Sequence, residues 1–226
     1  MMPVFKCRVV IDMAMTILLP LLMGYALMGE GPHKVLGAAF FLLFAVHNLL
    51  NWRWYGNLLK GVYTPRRFFH TVVTLLSCAA VFSLMVSADK LAGGPLSRLE
   101  LPIVSMLLAR RTHLSASYWA FVLMSLHLGM HWNMASGVAC RLQSVASSKR
   151  SNVLTRLLIA VFCLFGARAV INQGIANYLF LFNEFLFFDY TNAVVFFFDY
   201  VAMMAFFCTV GYGLTRLPDK IGRNQV

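Results

Sequence analysis

Six apolar segments account for most of the chain, and each is long enough to cross a lipid bilayer as an α-helix. They cover approximately residues 9–28, 33–50, 68–88, 115–139, 157–180 and 193–214. The chain is 60% hydrophobic and 12% charged, whereas soluble domains are about half apolar and about a quarter charged. The sequence therefore predicts an all-α, polytopic membrane protein with about six transmembrane helices, forming a single integral membrane domain over residues 1–226.

The net charge of +11 comes from basic residues that lie between the apolar segments, not along one polar face. This distribution favours membrane lipid over nucleic acid as the partner. Cations without acids occur before the first segment, at 51–67, at 141–156, and at Arg216 just beyond the sixth segment. The loop at 89–112 is mixed in charge. The positive-inside rule predicts that both termini are cytoplasmic.

Four of the six histidines form two pairs with the same spacing. Fourteen residues separate His33 from His47, and fourteen separate His113 from His127. On an α-helix this interval is about 40° short of four turns, so the members of a pair share one face and lie about 21 Å apart. With six spans, the second and fourth run parallel, so the first members share an outer depth and the second members an inner depth.

Two histidines at each depth predict two haems, because paired imidazoles are usual ligands of low-spin haem iron and leave no open position for oxygen. The expected pairs are His33 with His113 and His47 with His127. Because the five cysteines form no CxxC or CxxCH motif, we expect haem b, held without covalent attachment. Gly37 and Gly129 are small enough for a porphyrin to approach the backbone.

Four further residues have open roles. His131, one turn beyond His127, is the rival inner ligand. Together with His70, it is alternatively a candidate for proton exchange at a quinone pocket. Arg168 is a charge inside an apolar segment, where it either pairs with Asp199 or binds a haem propionate.

Several motifs give the chain a resemblance to a known family. They are GEGPHKVLG (29–37), FAVHNLLNWRW (44–54), SYW (117–119), LHLGMHW (126–132), YLF (178–180) and FFDY (187–190). In these motifs the chain resembles a bacterial family of membrane proteins of unknown function, grouped with the two-haem cytochromes b. The resemblance implies a four-helix haem core over about 9–139, similar to the cytochrome b subunits of formate dehydrogenases and hydrogenases. Two further helices follow over about 157–214, and the expected location is the bacterial cytoplasmic membrane.

The function that this pattern favours is electron transfer between quinone and a protein partner through two bis-histidine haems. Because the apolar segments contain no GxGxxG motif, a flavin- or dinucleotide-binding reductase is expected on another chain. One alternative is a transmembrane metalloreductase, whose outer haem reduces ferric iron or another external acceptor. The other is a haemless transporter or scaffold in which the histidines relay protons.

Overall fold

The computed structural model describes residues 2–94, 105–132, 149–186 and 192–216, and the side chains of 2–4 and 149–156 lie outside the description. In these stretches all regular secondary structure is helical, which confirms the all-α prediction for them. The helices are α1 (Met2–Met23), α2 (Tyr25–Met28), α3 (Glu30–Leu50), a 3-10 helix (Trp52–Asn57), α4 (Pro65–Ala92), α5 (Met106–Met130), α6 (Lys149–Asn172), α7 (Ile175–Leu179) and α8 (Ala193–Leu214).

Three helices in the described stretches, α3, α4 and α8, are long and apolar enough to cross a membrane. They correspond to the second, third and sixth apolar segments of the sequence. Their length and composition support a membrane protein in contact with lipid. The count of six spans and the four-helix haem core stay predictions.

The other three apolar segments are helical but have different ends from those expected. Gly24 separates α1 from α2 within the first segment. The helix of the fourth segment ends at Met130, and the expected continuation from 133 to 139 lies outside the described residues. The fifth segment breaks after Asn172, because Gly174 adopts a left-handed conformation with φ of 58° before α7 begins.

Local sequence signals explain the ends of α4 and the start of α5. The Thr64 hydroxyl accepts a hydrogen bond from the Arg67 backbone N–H at 3.3 Å, and Pro65 occupies the first helical turn. Gly93, with φ of 70°, ends α4 in the left-handed conformation that glycine tolerates best. The Ser105 hydroxyl caps α5 by accepting from the Leu108 N–H at 3.1 Å.

The chain divides into two compact units. The first lies within Met1–Val62 and Phe188–Phe198. In it α1 packs against α3. Two contacts show that the helices are antiparallel: the Arg8 guanidinium donates to the Leu50 carbonyl, and Asp12, further along α1, contacts His47, which is earlier on α3. The prediction of one membrane domain over 1–226 is not tested by this division.

The second unit lies within Tyr63–Phe187 and Asp199–Val226. Its centre is α5, which packs along α4 and also contacts α7. Ten of the 25 residues of α5 are buried. A Cβ atom added at Gly129 would lie 1.9 Å from the Cys208 carbonyl oxygen, so α5 and α8 are in backbone contact there. Small residues allow this close approach between helices.

Candidate functional site

The pair formed by α4 and α5 carries histidines at two levels. Near one end of the pair, His113 Nδ1 lies 3.2 Å from Ser87 Oγ, and near the other, His127 Nδ1 lies 3.2 Å from Thr74 Oγ1. The helices are antiparallel, and the thirteen-residue interval from Thr74 to Ser87 matches the fourteen-residue interval between the histidines. The two levels are therefore about 20 Å apart along the helix axes.

The hydroxyl partners favour one tautomer of each neutral histidine. Ser87 Oγ lies 2.7 Å from the Ser83 carbonyl oxygen, and Thr74 Oγ1 lies 2.8 Å from the His70 carbonyl oxygen. A hydroxyl that donates its one proton to such a carbonyl is left to accept from the Nδ1–H of its histidine. The neutral ring then has its lone pair on Nε2, the nitrogen left for a metal.

The first unit presents its histidines in a related way. His47 Nδ1 lies 2.7 Å from Asp12 Oδ1, so the carboxylate accepts from Nδ1–H and the lone pair of the neutral ring is again on Nε2. The His33 ring packs edge-on against Tyr25, with ring centroids 5.1 Å apart, and its Nδ1 is buried. All four of the predicted ligands, two in each unit, are half-buried.

A cluster of three histidines forms where α4 begins and α5 ends. His70, His127 and His131 each offer a ring nitrogen within 4.8 Å of the other two. Imidazole groups suit zinc, copper, iron and nickel, so this cluster could hold a metal ion. His70 Nε2 and His131 Nε2 are 2.9 Å apart. That distance suits an N–H···N hydrogen bond, and it also suits two ligands about 90° apart around an ion at about 2.0–2.1 Å.

His127 and His131, the two candidate ligands of the inner haem, contact α4 through different ring nitrogens. His127 contacts Thr74 through Nδ1, whereas His131 contacts His70 through Nε2. Haem ligation by His131 Nε2 would separate it from His70, whereas ligation by His127 Nε2 preserves the Thr74 contact. The geometry favours His127 on this ground, and its assignment stays a prediction.

The remaining residues singled out from the sequence have mixed surroundings. Gly37 has open space where a Cβ would be, among the described residues, so a flat ligand or lipid can approach it. Gly129 instead packs on Cys208, which explains the glycine without a porphyrin. Arg168 is exposed on α6 and takes part in none of the ion pairs between described side chains. The predicted roles of these three residues toward haem stay untested.

Sequence reasoning did not assign the polar partners Asp12, Thr74 and Ser87 to the histidines. A signal for two of them was present, because Thr74 and Ser87 repeat in the third apolar segment at nearly the histidine interval. Asp12 lies near the start of the first apolar segment. Its contact with His47 could not be read from spacing, because the two residues lie on different helices.

Comparison with protein-family models, curated proteins and solved structures finds no match. His33 and His47 belong to the first unit, and His113 and His127 belong to the second. The pairing stays a prediction.

Proposed function

We propose that the protein is a membrane di-haem cytochrome b that transfers electrons between quinone and a protein partner. The observation that carries this proposal is the shared orientation of three predicted ligands. His47, His113 and His127 each have Nδ1 next to an oxygen acceptor, which leaves Nε2 to coordinate iron. Metal-ligating histidines almost always donate their other ring N–H in this way.

The proposed donor set fits b-type haem. His33 and His113 would hold the outer haem, and His47 and His127 would hold the inner one. A haem bound at each place would supply one-electron redox chemistry. Oxidation of a quinol to a quinone releases two electrons and two protons, which matches the one-electron capacity of two haems.

The protein residues hold the rings in place and fix their tautomers. Ser87 and Thr74 are themselves anchored by hydrogen bonds to the backbone of α4, so their oxygens are fixed acceptors. A fixed acceptor orients the imidazole plane and preserves the lone pair on Nε2. The His70–His131 contact provides polar groups beside His127, where a quinone could exchange protons.

Haem content is the first test. The purified protein should contain about two haems per chain by the pyridine haemochrome assay, and acid-acetone should extract all of the colour. A colourless protein would instead support the haemless transporter or scaffold. Oxidation of the reduced protein by an external ferric chelate, with no reaction toward quinone, would support the metalloreductase.

Membrane orientation is the second test. We place the protein in the bacterial cytoplasmic membrane with both termini in the cytoplasm, because the cation-only loops fall on that side. Reporter fusions after Arg67 and after Arg150 should report cytoplasm, and a fusion after Pro95 should report the outside. The opposite results would exchange the inner and outer haems without changing their ligand pairs.

A second candidate function is favoured by the cluster of His70, His127 and His131. In this alternative a transition-metal ion, not a haem, occupies His127. Three imidazoles suffice for such an ion, with a fourth position left for water or substrate. Elemental analysis of the protein, purified without added metal, separates the two. Stoichiometric zinc, copper or nickel with less than one haem would favour the metal site.

A further inference from the structure

His47 differs from the predicted ligands on α5 in the charge of its partner. Its Nδ1 lies 2.7 Å from a carboxylate oxygen of Asp12, whereas the corresponding nitrogens of His113 and His127 lie 3.2 Å from neutral hydroxyls. Hydrogen bonds to ionised acceptors are shorter and roughly twice as strong as those between neutral groups. The three ligands therefore have the same orientation and different electronic surroundings.

The contact of Asp12 with His47 lies where α1 packs against α3. One turn before Asp12, the Arg8 guanidinium donates to the Leu50 carbonyl near the end of α3. The Thr16 hydroxyl donates to the Asp12 backbone carbonyl at 2.7 Å, which is a bond within α1 and not a contact with α3. The carboxylate thus belongs to a defined contact between α1 and α3, with 39% of its side chain exposed and 29% of that of His47.

We propose that Asp12 is a positioning residue that makes the haem held by His47 the lower-potential haem of the two. The inference rests on the proposed di-haem function. A carboxylate that accepts from Nδ1–H gives the imidazole partial imidazolate character and makes Nε2 a stronger electron donor. A stronger donor stabilises Fe(III) relative to Fe(II), and the nearby negative charge acts in the same direction. Asp12 acts through His47 and does not itself touch the haem.

This asymmetry gives electron transfer between the haems a preferred direction. With both haems bound, an electron would reside mainly on the higher-potential haem, the one that His113 would hold with its neutral Ser87 partner. Electron transfer from the haem of His47 to the haem of His113 would then be the favourable direction.

The test is a redox titration of the detergent-solubilised, haem-loaded protein with spectroscopic detection. The wild-type protein should show two one-electron components. In Asp12→Asn the lower component should move upward while the upper component stays in place. A tenfold loss of the preference for Fe(III) corresponds to a shift of about 59 mV for one electron.

Two matched variants make the result specific. Asp12→Glu keeps the carboxylate and should keep the low potential. Thr16→Val removes a hydroxyl that contacts only the Asp12 backbone among the described hydrogen bonds, and it should leave both components unchanged. If Asp12→Asn does not accumulate, Asp12→Thr replaces it, because a neutral hydroxyl should raise the lower potential in the same way.

The outcomes distinguish this inference from the function on which it rests. A wild-type protein without haem overturns both, and this is seen before any substitution is made. Two haems in the wild type and in the neutral variant, with unchanged potentials, overturn the role of Asp12 alone. A shift confined to the upper component also overturns it, because Asp12 would then act on the haem that His47 does not ligate.

Discussion

Helices α3 and α5 carry the same histidine interval in very different surroundings. On α5, ten residues are buried and hydroxyl groups of α4 contact both histidines. On α3, Phe40 is the buried residue, and Val35, Leu42 and Leu49 are about 70% exposed (70%, 68% and 70%). Equal spacing therefore does not mean equal environment. The α5 histidines are held by tightly packed helices, whereas His47 is held by one strong contact with Asp12.

The largest expected effect is loss of a haem. It tests whether α3 and α5 each supply one ligand to each haem. His127→Ala should remove one of the two haems, because it deletes an axial ligand, whereas His131→Ala should retain both. His47→Ala should remove the same spectral component as His127→Ala, and His33→Ala the same component as His113→Ala. Haem content and reduced-minus-oxidised spectra measure this. Loss of one common component in the His33 and His47 variants would show that the pairing is wrong.

A smaller effect is expected from the difference in packing. Gly129→Ala places a methyl group against the Cys208 backbone, and a backbone atom cannot move aside as a side chain can. We expect a loss of about 3 kcal/mol in the free energy of unfolding, the upper end of the usual cost of overpacking. Gly37→Ala is the control, since open space surrounds that position and alanine favours the helix. Unfolding in detergent measures both; equal stability of the two variants would contradict the close contact between α5 and α8.

Removal of a hydroxyl partner should weaken haem binding without abolishing it. Thr74→Val leaves the His127 Nδ1–H without its oxygen acceptor on α4, and loss of such a partner typically lowers affinity at least tenfold, about 1.4 kcal/mol. Ser83→Ala is the control on the same helix, because the Ser83 hydroxyl donates to the Ala79 carbonyl. Haem titration of the apoprotein measures the affinities. Equal affinity in the two variants would mean that Thr74 does not orient the ligand.

The smallest expected effect concerns one ion pair in each unit. Arg111 and Glu184 in the second unit lie 2.7 Å apart with 39% and 40% of their side chains exposed. After allowance for screening by solvent, a double-mutant cycle should give a coupling of about 0.5 kcal/mol. The same cycle on Glu30 and Lys34, which are more exposed in the first unit, should give no measurable coupling. A larger coupling for Glu30 and Lys34 would reverse the contrast between the units.

Much of the helical structure follows from the sequence alone. The apolar segments predict α3, α4 and α8 closely, and Thr64, Pro65 and Gly93 act as local signals for the ends of α4. The histidine intervals could also be interpreted directly, because the geometry of one helix determines which residues share its face. The end of α6 was missed, since a long apolar run conceals the break at Gly174.

The contacts of the candidate site required the tertiary structure. His47 meets Asp12, His127 meets Thr74, and His70 meets His131 across pairs of helices. Each contact depends on how far one helix is rotated and shifted against its neighbour. Rotation and shift result from side-chain packing summed along both helices, including close backbone contacts such as that of Gly129 with Cys208. The sequence by itself determined where helices form and which histidines share a face, because these depend on neighbours along the chain; only the packing of distant residues decided which groups those histidines touch.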